Sequence, residues 1–434
     1  MIKIKFFNSI TEGELAGNLL KAEGIESSVS RNKIYSFMKN LLKKLKLKRR
    51  VVTALAALHF YGNPSTKLKI VGVTGTNGKT TTAALLYKVA TALGYKAGLI
   101  GTVENVIAGV ARGATLTTPD PIALNKLLSE MANKGCEYVF MEVSSHATDQ
   151  NRIAGITFAG GIFTNLTHDH LDYHKSIENY FLAKKKFFNI LPNDAFALSN
   201  VDDAYGARML EGIRAKKYTY GLKNKEKKAD FSEKLETKLL GDFNASNALA
   251  VYASLVLMGQ DKEKVKEILK DVAPPRGRFE HFTSRSGVLV IVDYAHTPDA
   301  LQNVLKTVKD IRKEKAKIIS VFGCGGDRDP AKRPIMGNIG AVNSDIAIFT
   351  SDNPRGEDPE EIIEAMKTDL SMNDSKKVKT IPNRLEAIKE SVKIAQSGDI
   401  ILCAGKGHED YQEIKEVRHH FNDMEEFRKL FPHK

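Results

Sequence analysis

The stretch Val73–Thr82, "VTGTNGKTTT", constrains this chain more than any other. The apolar run "LKIVG" precedes it and "AALLYKVATAL" follows, so the order reads strand, glycine-rich turn, helix. Gly75 and Gly78 let the backbone bend so that N–H groups face inward, and a helix starting near Lys79 adds the positive end of its dipole. Lys79 can then reach the β- and γ-phosphates of a nucleotide, and the Thr80 hydroxyl can ligate Mg²⁺. The loop is a variant, because Val73 stands where the general pattern has its first glycine.

Around this turn, apolar β-like runs alternate with helical stretches. "KIVGVTG", "YVFMEVSS", "GGIFTNL" and "AFALSN" fall between residues 67 and 273, and "APPRGR" breaks the chain there. A second series, "VLVIVDYAH", "KIISVFGCGG", "IAIFTSDNP" and "DIILCAGKG", occupies 274–434. The expected class is α/β: a central P-loop parallel-sheet domain and a C-terminal Rossmann-like domain, after a short basic N-terminal region, 1–66. The polar run 221–237 reads as a hairpin or surface loop. Splitting the expected site across the break predicts a hinge about residues 270–276.

Charge is local. The formal charge is +13, but "RNKIYSFMKNLLKKLKLKRR" (31–50) alone holds nine basic residues and no acid. The rest is near balance, which argues against a nucleic-acid-binding body. The basic segment, running into "VVTALAALHFYG", reads as a helix packed on the next domain or as one attracted to an anionic partner, either membrane lipids or the pyrophosphate of a substrate. Three scattered cysteines and the lack of a signal pattern or a spanning apolar run point to a cytoplasmic protein without disulfides.

Two further stretches carry metal-binding chemistry. Glu142 ends the buried-looking run "YVFME", where an unpaired carboxylate would be costly, and Mg²⁺ shared with Thr80 would remove that cost. "FTNLTHDHLDYH" crowds three histidines and two aspartates behind another strand.

Together, "GTNGKTTT", "MEVSSHA", "FTNLTHDHLDYH", "GDFNASNALA", "VDYAHTPDAL", "VFGCGGDRDPAKRPIMG", "DNPR" and "AGKGHEDYQ" resemble the Mur ligases, in order and over roughly 67–434. The resemblance implies ATP-driven amide formation in peptidoglycan and cell-wall biogenesis. A substrate carboxylate takes the γ-phosphate, and an amine then displaces phosphate from the acyl phosphate. It implies that Gly75, Thr76, Asn77, Gly78, Lys79, Thr80 and Thr81 bind ATP, with Asn244 and Asn247 around the adenine. Arg278, Asp293 and His296 come from the C-terminal domain, Asp293 as an acceptor for ribose hydroxyls. Two Mg²⁺ ions are implied, one on Thr80 and Glu142, the other on His170 with Asp169 beside it. Lys184 matches a family lysine modified by CO₂, whose carbamate is an anionic ligand; taken alone, a lysine in "KKK" reads as a solvated face. Catalysis is thus assigned to Lys79, Glu142, His170 and Lys184.

For the muramoyl-dipeptide the resemblance points to Thr117, Thr118, Ser144, Gln150 and Arg152, the arginine as a bidentate carboxylate clamp. For the amino acid it points to Arg328, Asp352, Asn353, Arg355, Gly405 and Glu409. Arg355 can pair with the distal carboxylate of meso-diaminopimelate and would repel the bare ammonium of lysine. The expected substrates are therefore UDP-muramoyl-dipeptide and meso-diaminopimelate, on a monomer. Full-length members of this family open with a longer UDP-gripping domain carrying a "DSR"-type loop, which this N-terminal region lacks. L-lysine, a lipid-linked muropeptide acceptor, and a non-catalytic nucleotide-binding regulator at the membrane remain as alternatives.

Overall fold

The computed structural model describes residues 49–431 except His168 and residues 224–228. The chain forms two compact units: residues up to Thr237 with Ser246–Val272, and Lys238–Ala245 with Ala273–Lys434.

The first unit is built on β1 (Lys69–Thr74), β2 (Ala97–Ile100), β3 (Glu104–Ile107), β4 (Val110–Gly113), β5 (Tyr138–Glu142), β6 (Gly160–Phe163), β7 (Phe196–Asn200) and β8 (Lys216–Tyr220). They lie in the order β4-β3-β2-β5-β1-β6-β7-β8, parallel except for the β3 and β4 edge. β5 and β6 flank β1, so the loops after all three open on one crevice, where open α/β sheets bind ligands. The central strands are mostly apolar and buried, apart from exposed Lys69 at the start of β1 and the buried Glu142 that ends β5, as expected where helices cover both faces.

The second unit contains β9 (Glu280–Thr283), β10 (Leu289–Asp293), β11 (Ile318–Phe322), β12 (Ile346–Phe349), β13 (Val378–Thr380) and β14 (Ile400–Ala404), in the order β13-β12-β11-β14-β10-β9. Only the β9 edge is antiparallel. Alternate residues feed two cores: Ile291, Phe322 and Leu402 one face, Val290, Val321 and Ile401 the other. Leu240 and Phe243 pack on the first of these cores, Phe243 edge-on to Phe279 at 5.5 Å, which is why 238–245 belong to this unit. A separate hairpin, β15 (Tyr411–Ile414) and β16 (Val417–His420), follows β14.

The α/β expectation holds. The strand series read from sequence missed β2–β4, β8, β9, β13 and the β15–β16 pair; of these β4, β8, β13 and β16 are largely exposed. The 221–237 run does not pair as a hairpin among the described residues; Phe231 makes a parallel bridge to Tyr220. Of the basic segment 31–50, only Arg49 and Arg50 are described, opening the helix Arg49–Phe60, so the membrane-contact expectation lies outside the described residues. No helix among the described residues is long and apolar enough to cross a membrane.

Candidate active site

The turn after β1 is braced by the loop after β6. Asn165 accepts the Thr76 N–H on its backbone oxygen (2.8 Å) and the Asn77 N–H on Oδ1 (2.9 Å), while Thr164 Oγ1 donates to Asn77 O at 2.6 Å. Gly78 precedes the helix Lys79–Ala92 with φ 84°, and a Cβ there would stand 2.6 Å from Asn247 Oδ1. Only glycine fits both demands. Asn247 also accepts from Thr82 Oγ1 at 3.3 Å, so it fixes the turn from behind. Thr81 is buried in the first turn of the helix, and Asn244 donates to Leu240 O at 2.9 Å. Lys79 folds back over the turn, its Nζ donating to Gly75 O (2.9 Å) and Thr76 O (2.7 Å).

Thr80 and Glu142 meet directly: Thr80 Oγ1 donates to Glu142 Oε2 at 2.9 Å. Donors of the protein itself also pair with the carboxylate. Thr102, two residues past β2, donates its N–H to Oε1 (2.7 Å) and its hydroxyl to Oε2 (3.1 Å). Threonine hydroxyls thus solvate a carboxylate that is 1% exposed. A carboxylate and a hydroxyl beside a phosphate-binding turn fit Mg²⁺, which takes few protein ligands and completes its shell with phosphate and water oxygens. Among the described residues no group of three or more His, Cys, Asp or Glu forms a metal cage.

Lys184 corrects the solvated-face reading. It lies on the inner face of the helix Ile177–Asn189, 1% exposed, its Nζ 2.6 Å from Gly75 O and 4.3 Å from the Tyr180 ring centroid. Two lysine amines therefore converge on one carbonyl. Burial, then the nearby Lys79 ammonium, pushes the Lys184 amine well below its ordinary pKa. His170, at φ 53°, stands 3.5 Å from Asp169 and 6.1 Å, centroid to centroid, from the same Tyr180 ring. His174, part of the same histidine cluster in sequence, is buried with Nε2 3.0 Å from Ser145 Oγ.

The dipeptide candidates gather beside Glu142. Thr118 Oγ1 donates to Glu142 O (2.8 Å) and accepts from Ser144 N (3.1 Å), and Thr117 Oγ1 lies 3.0 Å from Thr102 Oγ1, whose one proton goes to Glu142. Ser144 also caps the next helix by accepting from Ala147 N. Arg152 is held side-on: Nε and Nη2 donate to Gln150 Oε1 at 3.1 and 2.8 Å, and Nη1 to Thr118 O at 2.8 Å. Burial draws its pKa down, so an anion would be a favourable neighbour.

In the second unit, Asp293 turns inward. Its oxygens accept from Phe279 N (2.7 Å) and Ala295 N (2.9 Å), and burial raises its pKa against the opposing effect of Arg278. Arg278 lies over the Tyr294 ring at 4.6 Å, and exposed His296 bonds Tyr294 O. Arg278 Nε and His408 Nδ1 are buried without hydrogen-bond partners among the described residues, orphans that a ligand's polar atoms can satisfy.

The loops after β12 and β14 assemble the remaining candidates. Asp352 packs against Gly405, whose φ of 111° and lack of Cβ are both required, since a Cβ would collide with Asp352 Oδ2. Asn353 Nδ2 donates to Glu409 Oε2 at 2.8 Å. Arg355, at φ 52°, donates Nη1 to Gly326 O (2.7 Å), and its backbone pairs with the β15–β16 hairpin through Glu413 O and Lys415 N. Arg328 is exposed at the margin, bonded to Asp327 O. Sequence reasoning missed Thr102, Asn165, Lys406 and the hairpin; Asn165 and Lys406 sat inside quoted motifs without an assigned duty.

Fold and turn together define a class, the P-loop α/β enzymes that act on nucleotide phosphates. The Mur ligase middle domain matches residues 73–255, and the Mur ligase glutamate ligase domain matches 277–407. The chain is 53% identical over 386 residues to UDP-N-acetylmuramoyl-L-alanyl-D-glutamate--2,6-diaminopimelate ligase of Cytophaga hutchinsonii, covering 85% of this chain and 79% of that one. It is 51% identical over 390 residues to the enzyme of that name from Bacteroides fragilis, covering 87% and 80%. A solved structure of a ligase of the same name superposes with TM-score 0.63 at 34% identity, covering 88% of this chain and 82% of that one. Mycobacterium tuberculosis folylpolyglutamate synthase, at 16% identity and TM-score 0.65, covering 92% and 98%, shares the fold. The chain belongs to the Mur ligase family, the ATP-dependent acid–amino-acid ligases.

Proposed function

We propose that this ligase adds meso-diaminopimelate to UDP-N-acetylmuramoyl-L-alanyl-D-glutamate in the cytoplasm, using ATP and Mg²⁺. The observation that carries the reading is Glu142, which touches both halves of the first unit's site. Its carboxylate meets Thr80 of the phosphate turn, and its backbone oxygen meets Thr118 of the dipeptide group. Phosphate and acceptor carboxylate thereby meet at one point. Arg152, steadied by Gln150, orients the dipeptide by a carboxylate, and Lys79 offsets phosphate charge as it develops. Mg²⁺ on Thr80 and Glu142 would neutralise the repulsion between the two anions. The acyl phosphate so formed is electrophilic enough for an amine, with phosphate as the leaving group.

Arg355 and Asp352 support the choice of amine, the one suited to a distal carboxylate and the other to its ammonium. A carbamate on Lys184 would, with His170, supply ligands for a second ion. The support is its buried, deprotonation-prone amine, since only a neutral amine captures CO₂.

The test is an incubation with UDP-muramoyl-dipeptide, ATP and Mg²⁺ against meso-diaminopimelate, L-lysine and L-ornithine, read by product mass and ADP. The expected product carries diaminopimelate alone, and rigorous removal of CO₂ slows turnover until bicarbonate is returned. A product with lysine overturns the amine assignment, indifference to bicarbonate overturns the carbamate, and absence of any peptide product overturns the ligase reading.

A further inference from the structure

Lys406 has no part in the scheme above, yet it is 0% exposed beside three of its residues. A buried ammonium requires acceptors, and this one has two: Asn353 Oδ1 at 3.1 Å and Glu409 Oε2 at 3.0 Å. The three side chains close a ring, because Asn353 Nδ2 also donates to Glu409 Oε2 at 2.8 Å. Asn353 Oδ1 further accepts from Glu413 N at 2.9 Å, in the first strand of the hairpin that pairs with Arg355. The amide therefore has a single orientation: its oxygen faces two donors and its nitrogen a carboxylate. Glu409 is engaged through Oε2, while Oε1 makes no hydrogen bond among the described residues.

We infer that Lys406 is a positioning residue for the incoming amino acid: by anchoring the Asn353 amide and Glu409 Oε2, it leaves Glu409 Oε1 as a fixed acceptor for the substrate's ammonium. This rests on the amino-acid reading of the DNPR pocket. Lys406 touches no reacting atom. Its effect is on how the pocket is shaped before the substrate arrives, so it should govern binding of one substrate out of three.

Lys406→Met keeps an unbranched apolar stem as far as Cε and removes the ammonium. The KM for the amino acid that wild-type enzyme uses is expected to rise by roughly tenfold or more, with kcat at saturation within about threefold and the KM values for ATP and muramoyl-dipeptide within about twofold. Lys406→Gln keeps donors but drops the charge, and should fall between wild type and Lys406→Met; it also serves if the methionine variant does not fold. Glu409→Gln supplies a double-mutant cycle, in which the pair should cost less than the product of the single effects. An unchanged amino-acid KM in a folded Lys406 variant, multiplicative effects in the cycle, or equal losses for all three substrates each overturn the inference. Lack of turnover by wild type instead fails the ligase reading, so the two failures are distinct.

Discussion

His408 shows how much one side chain can say about its surroundings. Burial first, then the Arg278 and Arg276 guanidiniums, holds its pKa down to about 3. The imidazole is neutral in the folded protein, whereas in the unfolded chain it takes a proton near pH 6.5. Below that pH the unfolded state binds the extra proton, so this group's contribution to stability is lost as pH falls from about 6.5 towards 3. At about 1.4 kcal/mol per pH unit, the loss between pH 6.5 and 5 is roughly 2 kcal/mol. Wild type should therefore lose about 2 kcal/mol more than His408→Asn over that interval in urea denaturation. Parallel losses would mean the imidazole is hydrated. At the same scale Lys184 was legible without its family: Tyr180, Lys184 and Phe187–Phe188 share the inner stripe of their helix, whereas Lys185 and Lys186 do not. A lysine at a core position of an apolar stripe asks for a chemical reason. The run "KKK" masks that signal, because three adjacent lysines look solvated until the helical period is applied to them.

Among elements, the long buried strands were plain in the sequence and the β15–β16 hairpin was not. Its turn is Lys415–Glu416, two residues at φ 49° and 65°, where hairpins of this length favour Asn-Gly. With no Gly, Asn or Pro to mark it, "YQEIKEVRHH" carried no turn signal. Yet this pair holds the backbone of Arg355 on both its N–H and its carbonyl. Left-handed geometry at two non-glycine residues costs roughly 1–2 kcal/mol each. Replacing Lys415 and Glu416 by Asn and Gly should recover about 1–2 kcal/mol and raise the calorimetric Tm by a few degrees, with the amino-acid KM unchanged or lower. A lower Tm would mean that the two side chains support the turn in ways their backbone does not reveal. The loops of the candidate site show the opposite pattern: "GTNGKT" and "DNPR" were read correctly as loops behind strands. Their braces, Asn165, Thr102 and Lys406, come from other parts of the chain, and contacts of that kind have no local signature.

For the molecule as a whole, the cysteines provide a built-in probe of its packing. Each lies in a different core: Cys136 in the first unit, Cys324 on one face of the second sheet, Cys403 on the other. All three behave as small apolar residues, and burial raises every thiol pKa, that of Cys324 to about 12. Alkylation then requires each core to open, and the rate at each site reports the local opening free energy. Cys403 is 0% exposed and lies 3.4 Å from Arg384 Nη2, whose guanidinium is locked to Asp423 by two bonds of 2.7 Å. Exposing it requires breaking a fully buried ion pair, at about 3–5 kcal/mol. Cys136 precedes β5, just after the exposed turn residue Gly135, and is 5% exposed. Mass-resolved alkylation of the native enzyme should therefore label Cys136 first and Cys403 last, with three tags only after denaturation. Replacing Arg384 by methionine should speed labelling of Cys403 by at least tenfold, since about 1.4 kcal/mol of local stability suffices for that factor. Fast native labelling of Cys403 in wild type would contradict the packing of its core.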